Sequence, residues 1–322
     1  MSRVTGQPAI YWTNKGSLGI SFFLTEELMN TSVDSHLSCG AKKHKGGNVM
    51  RRKFMSMALT AAMVLSMAAT PVFAEDTASD EGLNLNLCIA SEPQTIDPAL
   101  NSAVDGAIMC NHMFEGLAKW VNDGEGNAVT APGQAESWEK TENEDGTVTY
   151  TVKLRDGIKW SDGQAVTAGD FVYAWQRLAN PETAADYCYM IDMVKGYDAI
   201  ADGSADPSTL GITAVDDQTL QIDLTYDCPY FEEIMAFPAT FPVRQDMVES
   251  SDNWTFDPST YIGNGPYKMT EWSHNAYISM EKNENYYDYE NLGPDSIKFT
   301  LLDDNNAMLK GFNNGELDFI EN

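Results

Sequence analysis

The sequence has few histidines and cysteines, and none of them is spaced as a metal site or redox motif would need. Its four histidines lie far apart, and its five cysteines form no C-x-x-C pair. Zinc sites and thioredoxin-like redox motifs need such close spacing. A nucleophile elbow, a phosphate-binding loop, an H-E-x-x-H pair and a dinucleotide fingerprint are also missing. We therefore expect a protein that is not an enzyme and that holds no cofactor or metal.

Four cysteines, Cys88, Cys110, Cys188 and Cys228, lie after residue 75. In an oxidising compartment they could form one or two disulfides. Small buried thiols are the commoner state of such residues. We favour buried thiols and keep disulfides as the alternative.

Basic residues are scarce. The chain has 20 Lys and Arg against 48 Asp and Glu, and 8 of the basic but only 3 of the acidic residues lie in the first 74 positions. Residues 75–322 therefore hold 12 basic and 45 acidic residues, a net charge of −33. Such a surface repels nucleic acid and anionic lipid. We expect no nucleic-acid partner and interpret the acids as a solvated surface; cation binding is the less favoured alternative, because the acids are scattered.

The only long apolar run belongs to a targeting segment. A basic start at 50–53 precedes an apolar run to about Ala69, followed by small residues that end at Ala74. This order is typical of a secretory signal peptide, and the run is short for a membrane anchor, which is the alternative. We interpret Met50 as the true start and expect cleavage near Ala74. The predicted segments are a spurious upstream extension at 1–49, a signal peptide at 50–74 and an acidic linker at 75–82.

Residues 148–178 carry the strongest local signals. Alternating apolar residues over 148–154 predict a strand with one buried face. Turn dipeptides flank a short predicted strand at 158–160, and Thr167 with Asp170 forms a capping-box signature. The helix that follows has one apolar face. We expect Trp160 and Trp175 of this region, and Trp138 before it, to be core residues.

Other segments have weaker patterns. Residues 122–127 resemble a calcium loop in their oxygens, but the terminal Glu is missing, so we favour a hairpin turn. The glycines of 262–269 allow a tight turn. Further predicted elements are strands at 83–89, 277–282, 297–301 and 317–320, helices at 104–117, 187–200, 229–237 and 307–313, and a hairpin at 212–224.

Together these segments resemble the solute-binding proteins of peptide ABC importers, family 5, the oligopeptide- and dipeptide-binding group. The order and spacing of several short motifs over about forty residues make the match specific. The motifs are A-E-S-W at 135–138, L-R-D-G at 154–157, W-S-D-G at 160–163, V-T-A at 166–168, D-F-V-Y at 170–173 and W-Q-R at 175–177. Three flanking segments also match: P-Q-T-I-D-P at 93–98, F-E-G-L at 114–117 and I-G-N-G-P-Y-K at 262–268.

The resemblance implies an α/β, periplasmic-binding-protein-like (type II, two-lobe) fold with mixed sheets and flanking helices. The family continues for about as long again, so we expect a truncated fold that lacks its second lobe. The residues that bind peptide termini come mostly from that lobe, and we expect residues 75–322 alone not to close on a ligand. The implied domains are an incomplete first lobe at 83–114 and 243–322 and an extra domain at 115–242.

The resemblance also implies five peptide-binding residues. Ser102, Ala103 and Val104 match positions whose backbone runs beside the peptide, Tyr187 matches an aromatic residue near the cleft, and Asn322 matches a crossing-strand position. Plain loop or core packing is the alternative for each. Ser102 stands where the oligopeptide-binding proteins carry an acidic residue.

The predicted function is an exported, monomeric solute-binding protein that captures short peptides for ABC permease subunits. Relatives with the same fold bind nickel complexes or oligosaccharides, which is the nearest alternative. Two other classes stay open: a secreted hydrolase, because carboxylates are plentiful, and a structural surface protein.

Overall fold

A computed structural model describes residues 9–12, 18–21 and 82–320. Residues 82–320 belong to one compact unit. The predicted signal peptide, the linker before Gly82 and Asn322 lie outside the described residues, as does most of the predicted extension. Within the described part of the chain, no helix is long and apolar enough to span a bilayer.

Thirteen strands and six α-helices are present in the described residues. The strands are β1 Ala9–Trp12, β2 Leu18–Ser21, β3 Asn84–Ile89, β4 Ala118–Asn122, β5 Ala128–Pro132, β6 Ala135–Glu142, β7 Val148–Leu154, β8 Ile212–Asp216, β9 Thr219–Leu224, β10 Tyr267–Ser273, β11 Tyr277–Lys282, β12 Ser296–Leu301 and β13 Phe319–Ile320. The helices are α1 Val104–Met113, α2 Ala168–Ala179, α3 Tyr197–Ala201, α4 Phe231–Ile234, α5 Gln245–Val248 and α6 Asn305–Asn313.

Two sheets organise the unit. The five-stranded sheet has the order β10-β11-β12-β3-β13, with β3 parallel to both of its neighbours and the other pairs antiparallel. The four-stranded sheet is antiparallel throughout, in the order β6-β7-β9-β8. Two further antiparallel pairs, β1-β2 and β4-β5, each form a separate two-stranded sheet.

The central stretch folds as its pattern predicts. The alternating apolar residues of β7 are buried, and Phe171 and Trp175 of α2 are fully buried. The Asp170 carboxylate accepts hydrogen bonds from the backbone N–H (2.7 Å) and the hydroxyl (3.0 Å) of Thr167, so the start of α2 is capped. Trp160 is also buried, whereas Trp138 is only half-buried and donates its Nε1–H to Glu232 at 3.0 Å.

Three local predictions were wrong in part. Residues 158–160 form a single bridge, between Lys159 and Ala165, rather than a strand. Helix α1 ends at Met113 because Phe114 is already extended. The run at 187–200 divides into a 3₁₀ turn and α3, because Gly196 at φ 89° interrupts any continuous helix.

The glycines of 262–269 have a role beyond the predicted turn. A Cβ on Gly263 would lie 1.9 Å from the carbonyl oxygen of Met113, and a Cβ on Gly265 would lie 2.5 Å from the amide of Phe114. The Gly265 N–H donates to the Met113 oxygen at 3.0 Å. These glycines are therefore needed for close backbone approach to the end of α1.

The weaker predictions for turns and thiols agree with the structure. Residues 122–127 connect the antiparallel strands β4 and β5, and the Asp123 carboxylate accepts the N–H groups of Glu125 and Asn127. The four cysteines of the described region are free thiols, and three of them are buried: Cys88, Cys110 and Cys228.

Candidate functional site

A buried ion pair holds the loop that carries three predicted site residues. The two terminal guanidinium nitrogens of Arg177, near the end of α2, donate to the Asp97 carboxylate, at 2.8 and 2.6 Å. Asp97 is 2% exposed and also accepts the N–H of Ala99 at 3.0 Å. Burial alone would lower the pKa of Arg177, but the hydrogen bonds and charge of Asp97 raise it. We call this pair the Asp97–Arg177 junction; it fixes the loop to the helix.

The loop then presents Ser102, Ala103 and Val104 at the surface, where α1 begins. The Asn101 side chain stabilises this turn with two hydrogen bonds. Its Oδ1 accepts the Ala103 N–H at 3.3 Å, and its Nδ2 donates to the Ala103 carbonyl at 3.0 Å. The Ser102 hydroxyl donates to the Asp186 carboxylate at 2.8 Å. The loop is therefore held by a hydrogen bond to the residue next to Tyr187.

Tyr187 itself is half-buried among aromatic rings. Its ring packs edge-on against Phe237, with centroids 5.2 Å apart, and lies 6.2 Å from the ring of Tyr189. The structure therefore brings together four of the five predicted site residues, although they come from segments more than eighty residues apart. Asn322 lies outside the described residues, and its role stays a prediction.

A pocket opens beside Tyr187. It encloses about 290 Å³, and its lining includes three exposed aromatic residues, two carboxylates and the ring of Phe237: Trp120, Tyr189, Tyr230, Asp192 and Glu233 with Phe237. Its apolar lining is completed by Met190, Met193 and Ile234. We call it the aromatic pocket. No recognised motif contains its residues, which lie between the motifs or at their ends. The one sequence signal for it is the cluster of Tyr and Asp residues over 186–192.

A second polar cluster lies in the interior, around Glu115 of the F-E-G-L motif. Glu115 accepts hydrogen bonds from the Tyr286 hydroxyl at 2.6 Å and from Gln134 Nε2 at 2.9 Å, and Lys119 Nζ lies 3.4 Å away. The backbone of Glu115 exchanges two hydrogen bonds with the Asn264 side chain. Burial, with the negative charge of Glu115, raises the pKa of Tyr286 and keeps this phenol a donor. The cluster joins four segments of the chain, which contribute Glu115 with Lys119, Gln134, Asn264 and Tyr286.

These contacts indicate that the recognised motifs serve mainly to stabilise the fold. Asp97, Glu115, Asp170 and Arg177 each belong to a recognised motif. Three of them bond to distant parts of the chain, and Asp170 caps its own helix through Thr167. The described residues contain no group of three or more His, Cys, Asp or Glu side chains arranged to hold a metal ion. The open, solvent-facing features are the Ser102–Val104 loop and the aromatic pocket.

Comparison with known proteins gives consistent results. The family model for bacterial extracellular solute-binding proteins, family 5 middle, matches residues 130–322. The chain is 36% identical over 237 residues to the oligopeptide-binding protein OppA of Bacillus subtilis, covering 73% of this chain and 42% of that protein. It is 32% identical over 282 residues to the periplasmic oligopeptide-binding protein OppA of Salmonella typhimurium, covering 85% and 50%.

Solved structures agree with the sequence relatives. The Listeria monocytogenes OppA bound to peptide superimposes with a TM-score of 0.69 at 32% identity, covering 74% of this chain and 46% of that chain. The unliganded open form of the periplasmic murein tripeptide-binding protein MppA gives 0.68 at 34% identity, covering 75% and 45%.

The chain spans about half the length of the relatives it matches. These relatives are named as binding proteins rather than enzymes, and the type II periplasmic-binding-protein fold predicted from the sequence is confirmed. This fold accounts for the mixed five-stranded sheet and the antiparallel four-stranded sheet. It also accounts for the motifs that join them. The chain belongs to family 5 of the bacterial extracellular solute-binding proteins.

Proposed function

We propose that this protein captures short peptides outside the cytoplasmic membrane and delivers them to the membrane subunits of an ABC importer. One observation carries the proposal most directly: the Ser102 hydroxyl bonds to Asp186 and so places the exposed 102–104 loop against the Tyr187 segment. Extended peptides are bound by backbone groups and by pockets for side chains. An exposed loop beside an aromatic pocket offers both.

The family relationship supports the same ligand. The Bacillus and Salmonella relatives are named oligopeptide-binding proteins, and the Listeria relative was solved with a peptide. We propose that residues 83–114 and 243–322 belong to a first lobe and 115–242 to an extra domain. The five-stranded sheet supports this division, since all of its strands come from the first-lobe ranges.

We further propose export of the protein with cleavage near Ala74, and action as a monomer. The extracellular character of the family supports export. Amino-terminal sequencing of the protein from the cell envelope tests the cleavage site; a mature end near Glu75 is expected, and retention of residues before Met50 would contradict it. Light scattering on the purified protein should give the mass of one copy.

The decisive test is ligand binding by the native protein purified from the envelope. We expect short peptides such as trialanine to raise the melting temperature, because a ligand that binds only the folded state stabilises it by about 2.7 kcal/mol at one hundred times its Kd. Nickel ions and maltotriose serve as competing candidates. A shift with either of these and none with peptides would reject the peptide assignment.

A variant series connects the binding to the site. Tyr187→Ala should weaken peptide binding, whereas Tyr289→Ala, at a partly exposed tyrosine of a different segment, should not. Peptide hydrolysis during the measurement would favour a secreted hydrolase over a binding protein. Equal affinity in both variants would show that the Tyr187 region is not the binding site.

A further inference from the structure

The aromatic pocket has a distinctive chemical lining. Trp120, Tyr189 and Tyr230 are 38%, 55% and 49% exposed, so three large aromatic side chains present surface to one small space. Large aromatic residues are costly to expose, and a cluster of them around a concavity is typical of a recognition site. The rings supply flat faces with negative electrostatic potential.

Two carboxylates complete the lining. Asp192 and Glu233 are both exposed, and neither forms a salt bridge within the described residues. Asp192 accepts one weak hydrogen bond, from the Tyr226 hydroxyl at 3.4 Å. None of the nine lining residues is basic. The pocket therefore combines aromatic faces with negative charge that no lining residue neutralises.

The size and position of the pocket limit what it can bind. Its volume of about 290 Å³ is near the lower end for small-molecule sites, which is suited to one side chain rather than a whole oligopeptide. It shares Phe237 and Tyr189 with the ring cluster around Tyr187. A peptide that passes Tyr187 and the 102–104 loop would have side chains within reach of it.

From these observations we propose that the aromatic pocket binds the cationic side chain, lysine or arginine, of a captured peptide. The cation lies over the faces of Trp120, Tyr189 or Tyr230 and pairs with Asp192 and Glu233. Cation–π contact is favourable at exposed sites and is stronger for guanidinium over an indole ring. This inference rests on the proposed function for its biological ligand, but its chemistry can be tested without a peptide.

The test uses the 322-residue chain and two matched probes, Nα-acetyl-arginine amide and Nα-acetyl-citrulline amide. They are nearly isosteric and differ by one positive charge. We expect calorimetric titration to give affinity at least about 2- to 5-fold higher for the arginine probe, the range expected from cation–π contact alone at an exposed site. Equal affinity for the two probes would overturn the proposal.

Variants locate the effect. Asp192→Asn and Glu233→Gln should each reduce the preference for arginine, and Trp120→Ala should weaken binding of the arginine probe. Asp252→Asn removes the same unit of charge at an exposed position outside the pocket and is the matched control. If Asp252→Asn reduces the preference as much as Asp192→Asn, the effect is one of net charge and the proposal fails.

Trialanine binding to the native protein is measured in parallel. Arginine-probe binding at the pocket without any peptide binding would reject the proposed function and leave the pocket assignment standing. Peptide binding with no preference for arginine over citrulline would reject the pocket assignment and leave the proposed function standing.

Discussion

The Asp97–Arg177 junction and the aromatic pocket both use polar and ionisable side chains, but they use them in opposite ways. At the junction, both charges are nearly removed from water and are matched by each other. In the pocket, Asp192 and Glu233 are in water and have no basic partner in the described residues. A buried charge without its partner is costly, whereas an exposed one is nearly free. The junction therefore maintains the fold, and the pocket has charge available for a ligand.

The largest effect is expected when the junction is broken. Arg177→Met leaves the Asp97 carboxylate buried without its partner, and we expect the free energy of unfolding to fall by about 3–5 kcal/mol. Urea denaturation measures the change. Lys153→Met, which breaks the exposed Lys153–Glu136 pair, is the control and should cost at most about 1 kcal/mol. Similar losses in the two variants would contradict the contrast between buried and exposed charge.

Removal of one donor from the Glu115 cluster should have the next largest effect. Tyr286→Phe deletes the hydroxyl that donates to Glu115 at 2.6 Å, and we expect a loss of about 1.5–3 kcal/mol, the range for hydrogen bonds to charged groups. Tyr289→Phe, at a more exposed tyrosine, should be close to neutral. Equal losses in the two variants would show that the Glu115 cluster does not specifically stabilise the fold.

A methyl group at Gly263 should also destabilise the protein. Its Cβ would collide with the Met113 carbonyl oxygen, which belongs to backbone and cannot rotate away, so we expect a cost of about 1–3 kcal/mol. Gly169→Ala is the control, since the nearest atom to its added Cβ, the Thr167 hydroxyl oxygen, lies 3.4 Å away. That variant should be neutral or more stable by up to about 1 kcal/mol. Thermal and urea unfolding of both variants check the prediction.

The contribution of Glu92 to the free energy of unfolding is expected to depend on pH. Burial alone would raise the pKa of Glu92, but hydrogen bonds from His274, the Asn275 backbone N–H and Trp272 lower it. Because the folded pKa lies below the unfolded one, the stabilisation is present above the unfolded value, near pH 4.5, and is lost as the pH falls through the folded value. Glu92→Gln should thus lose up to about 1 kcal/mol at pH 7 and less in acid. A difference that is constant with pH would refute this.

The smallest effect is expected in the pocket. Tyr189→Ala removes an exposed ring, and we expect a change in the free energy of unfolding of about 0.5 kcal/mol or less. Phe171→Ala, at a fully buried ring of α2, should cost about 3–5 kcal/mol in the same assay. A large loss of stability in Tyr189→Ala would mean that the pocket residues stabilise the fold and are not simply an exposed surface available to a ligand.

Much of the fold could be predicted from the sequence because its signals are local. The alternation of β7, the Thr167–Asp170 cap and the apolar face of α2 depend on residues two to four positions apart. The prediction was wrong for the run at 187–200, where one glycine with positive φ outweighs the helical pattern around it. The motifs were also sufficient to indicate the family, since their order along the chain is visible without a structure.

The sequence by itself therefore determined the strand at 148–154, the capped helix that starts after Thr167, and the family. Only the tertiary structure decided that Asp97 pairs with Arg177, that Gly263 touches the end of α1, and that Trp120, Tyr189 and Tyr230 share one pocket. The physical reason is that exposure and pairing depend on what packs against a side chain. Those neighbours come from residues that are distant in the chain, and no local pattern specifies them.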